Sequence, residues 1–237
     1  YEICDGKYNL KGLPAVYVAE EEAQTLIIYM KDQVTGLQVE LLYGVLPEYD
    51  VITRSAKVIN TEEDKIRLTK AQAACIDFLH GEFDVISFYG RHAMERNMQR
   101  TSVGHGAFVI GSRRGTSSHQ YNPMLILAEK ETTEDAGICY GMSFVYSGGF
   151  KAEVEKDQFG QTRMQMGLQE EQFSYPLKKG EEFVIPEVIL TCSNQGLEKL
   201  SQNLQRCIRK NLCRGKYKEK VRPVPVSYTH LTLPTNS

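Results

Sequence analysis

The stretch SRRGTSSHQYNP, residues 112–123, holds the side chains of this sequence that most resemble a catalytic site. Serine catalysis requires a serine hydroxyl hydrogen-bonded to a histidine that a third group orients. Ser117 and His119 would share one face of an extended strand, and Ser118 lies between them. No G-x-S-x-G elbow is present, however, and no helical pattern follows. We therefore interpret the stretch as a polar turn, in which Gly115 permits a tight bend and hydroxyl groups bind the backbone.

A second charged cluster lies at GRHAMERNMQR, residues 90–100. Glu95 is placed to pair with Arg91 or with Arg96, which predicts a salt-bridged loop or a short helix. The functional alternative is a polar surface that faces a partner domain or a sugar. His92 has the flat, partly apolar ring that suits a sugar contact.

The sequence gives little support for a glycosidase carboxylate pair or for a metal site. A glycosidase needs two carboxylates about 5–10 Å apart. Glu153 and Glu155 share one face of a predicted strand, but acidic side chains in that position usually serve solvation. The six cysteines form no CxxC pair and have no histidine at metal-ligand spacing, so we expect no metal site. Buried free thiols in a reducing compartment are the expectation, with Cys75 and Cys192 inside apolar strand-like runs.

Composition excludes several function classes. A formal net charge of −2 and a pI near 6.3 disfavour a nucleic-acid partner. No apolar run reaches the roughly eighteen residues that a membrane-spanning helix needs, so no membrane partner is expected. Neither a P-loop nor a dinucleotide-binding fingerprint is present, and no cofactor is expected.

The elements that must position these clusters are mostly strands. Period-two alternation recurs from Thr25 to Cys192, with tight polar turns between the runs, and Gly36 is expected at a turn that needs positive φ. KIRLTKAQAACIDF, residues 65–78, is predicted as one alternating run. This pattern predicts an all-β fold, a large antiparallel β-sandwich.

The period then changes to that of one α-helix. Leu197, Leu200, Leu204, Ile208 and Leu212 are spaced by three or four residues, which predicts a helix over residues 196–212. Ser193 or Asn194 is the expected N-cap, and Gly215 the expected stop.

Three segments follow from these patterns. We expect a sandwich domain over residues 1–192, incomplete at its start, and a helical linker over 193–224. Residues 225–237 are expected to be a non-native or disordered tail, because their composition is unrelated to what precedes them.

The order of the motifs resembles a known family. The segments LHGEFDVISFYGRHAMERNMQR, SRRGTSSHQYNP, YGMSFVYSGGFKAEVE, GEEFVIPEVILTCSNQGLEKLSQNLQRCIRKNL and VRPV occur in the same order in the N-terminal β-domain of glycoside hydrolase family 36 α-galactosidases. The resemblance runs over roughly residues 10–224. The fourth segment contains two motifs, and six collinear motifs are far more specific than any one of them.

The resemblance implies an architecture and an activity. It implies a β-supersandwich of the galactose-mutarotase-like kind, one connecting helix and then a catalytic (β/α)8 barrel, which is absent here. The family hydrolyses terminal α-galactosides such as melibiose and raffinose by a retaining mechanism with two Asp residues, both on the barrel. We therefore expect no catalytic residue in this fragment and no activity from it alone.

The resemblance also suggests roles for individual residues. His92 stands where the family usually has a Trp near the galactose pocket, which makes it a candidate substrate contact. A structural or interface role is expected for Arg91, Glu95, Arg96, Arg114, Ser118 and His119. The implied partners are the α-galactoside, the chain's own barrel domain and, in tetrameric members, further copies of the chain. A bacterial cytoplasmic location is the expectation.

Two alternatives stay open at this point. One is a stand-alone carbohydrate-binding β-sandwich. The other is the N-terminal domain of a related α-N-acetylgalactosaminidase or raffinose-synthase-type transferase, because barrel loops set the choice of substrate.

Overall fold

Strands dominate the computed structural model, which describes residues 1–221. In these residues the strands, in chain order, are β1 (Glu2–Asp5), β2 (Gln24–Lys31), β3 (Leu37–Leu46), β4 (Val51–Asn60), β5 (Ile66–Leu68), β6 (Gln72–Phe78), β7 (Phe83–Arg91), β8 (Met94–Ser102), β9 (Gly106–Gly111), β10 (Tyr121–Glu129), β11 (Cys139–Phe144), β12 (Phe150–Lys156), β13 (Thr162–Leu168), β14 (Tyr175–Leu177) and β15 (Glu182–Ser193). The α-helix is α1 (Gly196–Cys207), and a π-helical turn (Ile208–Leu212) continues it.

The strands form two facing sheets and one small ribbon. The large sheet has nine strands in the order β1-β2-β3-β4-β15-β11-β10-β7-β8, and the small sheet has four in the order β6-β13-β12-β9. All pairings within both sheets are antiparallel. The ribbon pairs β14 with β5. The predicted antiparallel β-supersandwich is confirmed.

Alternate residues of the strands point into the space between the two sheets and form the main apolar core. On β12 and β13, Phe150, Val154, Met164 and Met166 are fully buried and point toward the large sheet. Leu125 on β10 meets them from the other side. Full burial of one such side chain contributes about 1.5–3 kcal/mol, so this layer is the main source of stability.

The helix covers the opposite face of the large sheet. Leu197, Leu200 and Leu204 lie on one side of α1 and pack against sheet residues that include Ile126 and Ile189. The predicted apolar helical face is confirmed, although the last turn of the predicted range widens to a π turn, in which the Cys213 N–H donates to the Ile208 carbonyl at 2.8 Å.

The start of α1 is capped by a neighbouring loop rather than by a side chain. The N-cap residue is Gln195, with no side-chain cap, so the expected cap by Ser193 or Asn194 is wrong. The backbone N–H groups of Gly196, Leu197 and Glu198 instead donate to the carbonyls of Gly137, Thr133 and Glu134, at 3.0, 3.1 and 2.8 Å. These bonds satisfy donors that every helix start leaves open.

Gly196 is required for this arrangement. Its φ is +76°, and a Cβ atom there would lie 2.4 Å from the Glu134 carbonyl oxygen. Gly215, the expected helix stop, also has positive φ, at +83°, but a Cβ there would meet nothing within 4 Å.

An ionic network holds the capping loop against the sheet. Arg100 on β8 donates through Nε to the Asp84 carboxylate at 2.7 Å and through Nη1 to the Thr132 carbonyl at 2.7 Å. Lys130 Nζ lies 2.6 Å from the same carboxylate, and Ser102 donates to it at 3.0 Å. Burial opposes ionisation, but these three donors lower the pKa of Asp84 overall.

Two details of the strand predictions are wrong. The run at residues 65–78 is not one strand, because β5 and β6 belong to different sheets and the chain turns between them. All six cysteines are free as expected, but Cys75 and Cys192 are exposed, because each points to the outer side of its strand. Gly36 does occupy a turn with φ of +66°, as predicted.

The predicted segment boundaries remain predictions. The sandwich's last strand ends at Ser193 and α1 follows it, while residues 225–237 lie outside the described part of the chain. Within residues 1–221 no helix has the length and apolar character needed to cross a membrane.

Candidate functional site

The charged cluster at residues 90–100 forms a β-hairpin, not the expected loop or short helix. β7 and β8 pair, and His92 and Ala93 make the turn at the tip. Ala93 has φ of +60°, and the register shifts beside Arg96, which has φ of +59°. This bulge explains Gly90, where a Cβ atom would lie 2.6 Å from the Met94 carbonyl oxygen.

The expected ion pair of Glu95 does not form. Glu95 Oε1 accepts from the Ala93 N–H at 3.0 Å, which fixes the turn. Arg91 donates to the Met94 sulfur at 3.1 Å, and no salt bridge within residues 1–221 joins Glu95 to Arg91 or Arg96. Arg91, His92, Glu95 and Arg96 are all exposed.

The stretch at residues 112–123 is a hydrogen-bonded turn, as predicted, that leads into β10. Ser112 Oγ donates to the Thr116 carbonyl at 2.5 Å, and the Ser117 N–H donates to the Ser147 carbonyl at 2.8 Å. Ser118 Oγ accepts from the Gln120 N–H at 3.2 Å. The serine hydroxyls therefore shape the backbone.

No nucleophile–base pair is assembled here. Within the described chain, neither Ser117 nor Ser118 donates a hydrogen bond to His119, which is exposed. Arg114 is also exposed, and Arg113 pairs with Glu171 across a neighbouring turn. The arrangement can present donors and acceptors to a ligand, but it lacks the ordered relay that serine catalysis needs.

The two predicted clusters lie side by side. The Gly90 N–H donates to the Gln120 carbonyl at 3.2 Å, and Tyr89 is the register partner of Tyr121. This pairing brings the hairpin tip, with Arg91 and His92, next to the turn that carries Ser118 and His119. Arg96 lines a different groove, on the helix side of the sheet.

A polar groove of about 760 Å³ opens beside the turn. It lies between β9 and the start of β10, and its lining includes Arg113, Arg114, Gln120, Tyr121, Lys151 and Glu170. Lys151 Nζ lies 2.5 Å from Glu170 and 2.8 Å from Glu153. Hydrogen bonds to these two carboxylates raise the pKa of Lys151, and the bond from Lys151 lowers that of Glu170.

The carboxylates considered in the sequence do not make a catalytic pair. Glu153 is held by Lys151, and Glu155 lies exposed on the same outer face of the small sheet. No group of three or more His, Cys, Asp or Glu side chains in residues 1–221 is arranged to hold a metal ion.

A second groove, of about 550 Å³, lies between α1 and the exposed end of the large sheet. Its lining is mostly apolar and includes Phe88, Met98, Met124, Leu204 and Ile208, with Arg96 at one end. Met98 on the edge strand β8 is 55% exposed. This groove is a candidate surface for another part of a longer chain.

Sequence reasoning missed a buried ion pair. Lys7 Nζ lies 2.5 Å from Glu187 Oε1, and their side chains are 2% and 0% exposed. Glu187 Oε2 also accepts from the Val16 N–H at 2.7 Å. The pair fastens the segment between β1 and β2 onto the middle of the large sheet. The sequence carried one signal for irregular structure beside Glu187. Pro186 lies in a strand run, where proline indicates a bulge, and the register of β15 does shift between Ile185 and Val188.

The ion pair shifts the groups around it. Burial lowers the pKa of Lys7, and the Glu187 carboxylate opposes that change. Burial raises the pKa of Tyr8 well above its ordinary value, and Glu187 adds to the effect. Burial also raises the pKa of the Cys207 thiol, to about 12. These groups are held away from solvent and are structural.

Comparisons with known proteins agree on one family. The family model described as the glycosyl hydrolase family 36 N-terminal domain matches residues 1–178. The bifunctional alpha-galactosidase/sucrose kinase AgaSK of Mediterraneibacter gnavus is 61% identical over 227 residues, 96% of this chain and 24% of that protein. The alpha-galactosidase Mel36A of Lactobacillus acidophilus is 43% identical over 96% of this chain and 31% of its own length.

Solved structures give the same result. The galactosidase domain of AgaSK superposes with a TM-score of 0.92 at 61% identity, over 94% of this chain and 31% of that one. The family 36 alpha-galactosidase AgaA of Geobacillus stearothermophilus, in complex with stachyose, gives a TM-score of 0.92 at 41% identity, over the same shares. The chain thus spans about a quarter to a third of the length of these relatives. It belongs to glycoside hydrolase family 36, in which it corresponds to the N-terminal domain.

Proposed function

We propose that this chain is the non-catalytic N-terminal domain of an α-galactosidase that hydrolyses terminal α-galactosides of the melibiose and raffinose type. One observation carries the proposal: the chain matches α-galactosidases along 94–96% of its length, in sequence and in fold. The relative solved with stachyose, an α-galactoside, supports this substrate class.

The chemistry of the described residues supports a non-catalytic role. A retaining glycosidase places its two carboxyl groups about 5–5.5 Å apart, one as nucleophile and one as acid and base. Here the two carboxylates that line the polar groove, Glu170 and Glu171, are bound by Lys151 and Arg113, and Glu153 is also bound by Lys151. In the proposal two Asp residues on a (β/α)8 barrel perform the reaction, and this domain supports that barrel.

The apolar groove and the hairpin tip suggest how the domain would serve the enzyme. The apolar groove beside α1, with Arg96 at its end, offers contact area for the barrel domain. The hairpin tip holds His92 in a fixed, exposed turn and could reach a galactoside bound by a neighbouring domain or subunit. Arg91, Glu95, Arg114, Ser118 and His119 then serve as interface or scaffold residues. A tetrameric parent in the bacterial cytoplasm is part of the same proposal.

Turnover of p-nitrophenyl α-galactoside tests the proposal. The full-length parent should hydrolyse it, and the 237-residue chain should not. Activity of the short chain above background would overturn the assignment of the catalytic residues to another domain. Absence of activity in a folded full-length parent would overturn the α-galactosidase assignment.

Two histidine variants of the parent test the site residues. His92→Ala should raise KM if this side chain contacts the sugar, and His80→Ala, another exposed histidine, is the matched control. His119→Ala should leave turnover unchanged, because His119 is proposed as a scaffold residue. A loss of turnover in His119→Ala, with folding and assembly intact, would contradict that role.

The related activities are separated by substrate. An α-N-acetylgalactosaminidase would prefer p-nitrophenyl α-N-acetylgalactosaminide, and a raffinose-synthase-type transferase would move galactose to sucrose rather than to water. A stand-alone carbohydrate-binding domain would bind galactosides without belonging to a longer active chain.

A further inference from the structure

The large sheet extends past the small sheet along β1, β2 and β3, and the face that it leaves exposed there is apolar. Leu41 on β3 pairs with Ala56 on β4, and both belong to the core between the sheets. The residues that share this face of β1, β2 and β3, which we call the open face, are Ile3, Leu26, Ile28, Met30, Tyr43 and Val45. Ile3 is 63% exposed, Met30 46% and Val45 40%.

The sequence of β2 and β3 is typical of strands that are buried on both faces. Residues 26–28 (LII) and 41–43 (LLY) are continuous apolar runs. On the opposite face, Ile27 and Leu42 pack in one apolar cluster with the segment between β1 and β2. A strand with one face in water alternates apolar and polar residues, whereas a strand covered on both sides does not. The runs therefore indicate that the open face is covered in the longer protein.

The other end of the large sheet provides an internal comparison. β8 is the outermost strand there, and Thr101 on β8 pairs with Val85, which lies in the core between the sheets. On this same face β8 carries Asn97, Gln99 and Thr101, all polar. The chain thus places polar side chains where this face meets water at β8, and apolar ones along β1, β2 and β3.

The edge of the small sheet borders the open face. β6 packs over β4 and β15, and within residues 1–221 no strand pairs with its outer side. Arg54 on β4 lies at this border, where its Nη1 donates to the Cys75 carbonyl of β6 at 3.2 Å. The Arg54 guanidinium also lies 5.3 Å from the centre of the Tyr43 ring. An edge strand presents a row of backbone donors and acceptors, and here that row lies beside an apolar surface.

The charges at the open face are negative at one end. A groove of about 730 Å³ lies beside Val45, and its lining includes the carboxylates of Asp5, Glu21, Glu22 and Glu48. The cation at the border, Arg54, is engaged by the Cys75 carbonyl. A segment that covered the open face would therefore be complementary if it were apolar along most of its length and basic at the end beside this groove.

We propose that about three further strands of the parent chain extend the small sheet from the edge of β6 across β3, β2 and β1, since strands within both sheets share a spacing of roughly 4.8 Å. Backbone hydrogen bonds to β6 would fix the first of them, and alternate apolar side chains would continue the core between the sheets over the open face. The relatives have room for such a segment, because this chain spans only 24% and 31% of two of them. The inference requires a longer parent but not its activity.

Hydroxyl-radical labelling of the full-length parent and of the 237-residue chain, read by mass spectrometry, tests whether the open face is covered. Met30 should label about tenfold more slowly in the parent, because a buried side chain keeps less than about 5% of its surface exposed, against 46% here. Phe159, 79% exposed in the turn between β12 and β13, is the matched control and should label equally in both. Met164 is fully buried and should stay unlabelled in both, which reports an intact fold.

Amide hydrogen exchange tests whether the cover is a strand. Amides on the outer side of β6 would gain hydrogen bonds in the parent, so they should exchange at least about tenfold more slowly there than in the 237-residue chain.

A lysine variant adds a test within the parent. Val45→Lys should lower the parent's Tm, because it would bury a charge. Val34→Lys, at a turn position that is 91% exposed, should leave the Tm unchanged.

Three outcomes would overturn the inference. Equal labelling of Met30 in the parent and in the 237-residue chain would show that the open face is not covered. Protection of Met30 in the 237-residue chain, together with the mass of a dimer, would assign the open face to a second copy. Protection of Met30 in the parent with unchanged exchange in β6 would exclude a paired strand. An inactive parent would contradict the proposed function and leave these results unaffected.

Discussion

Removal of the buried Lys7 charge should destabilise the whole chain. Lys7 Nζ lies 2.5 Å from Glu187 Oε1, 3.0 Å from the Tyr8 carbonyl and 3.4 Å from the centre of the Tyr8 ring. Lys7→Met fills a similar volume but leaves the Glu187 carboxylate buried, with the Val16 N–H as its remaining donor.

The expected magnitude follows from that burial. An uncompensated buried charge costs about 3–5 kcal/mol. For a domain of this size 1 kcal/mol corresponds to about 2–4 °C in Tm, so Tm should fall by about 6–20 °C. The double variant Lys7→Met/Glu187→Gln removes both charges and keeps an acceptor for Val16, so it should recover most of the loss.

Urea unfolding and thermal melting of the two single variants and the double variant measure the coupling between the residues. Lys179→Met is the matched control, because its partner Glu63 is exposed, and it should change Tm by no more than about 2–4 °C. A loss below about 1 kcal/mol in Lys7→Met, or strictly additive single effects, would refute the uncompensated-charge argument.

Three further predictions concern the network, the helix cap and the thiols. Asp84→Asn should lower the free energy of unfolding at pH 7 by about 1–3 kcal/mol. The pKa of Asp84 is lower in the folded chain than in the unfolded chain, where it is about 3.9. The stabilisation by ionised Asp84 is therefore complete above about pH 3.9 and is lost as the pH falls further. The difference in free energy of unfolding between Asp84→Asn and the parent chain, measured in urea, should shrink at about pH 3. Gly196→Ala should melt at a clearly lower temperature than Gly215→Ala. Both glycines have positive φ, but only at Gly196 would a Cβ atom collide with backbone atoms. Equal decreases in Tm would contradict this close contact. A thiol reagent should label Cys75 quickly and Cys207 only after unfolding, because Cys207 is buried with a pKa of about 12; rapid native labelling of Cys207 would contradict its burial.

Local patterns predicted much of the fold because they depend on local physics. The period-two alternation between Thr25 and Cys192 includes VITRSAKVIN and LQVELLYGVL, and these two segments are β4 and β3 in the structure. The three- and four-residue spacing of Leu197, Leu200 and Leu204 predicted the buried face of α1. On the helix one face is buried and the other is not, so the sequence must carry the period.

The features that sequence reasoning missed depend on residues far apart in the chain. Lys7 and Glu187 look like ordinary surface charges until the fold brings them together. The cap of α1 uses carbonyl groups, which every residue has, so Thr133 and Glu134 carry no sequence signal for it. Placement of the two polar clusters on one corner required the register between Tyr89 and Tyr121, which alternation alone does not determine.

The buried ion pair also orders events during synthesis on the ribosome. Val16 and its acceptor Glu187 are separated by 171 positions. At about 5–20 residues per second, the amino-terminal segment must wait roughly 10–35 s after its own translation before its partner emerges. During that interval Lys7 stays hydrated, and the apolar residues that will lie beneath it are open to chaperones. This early segment of the domain is therefore among the last to reach its native contacts.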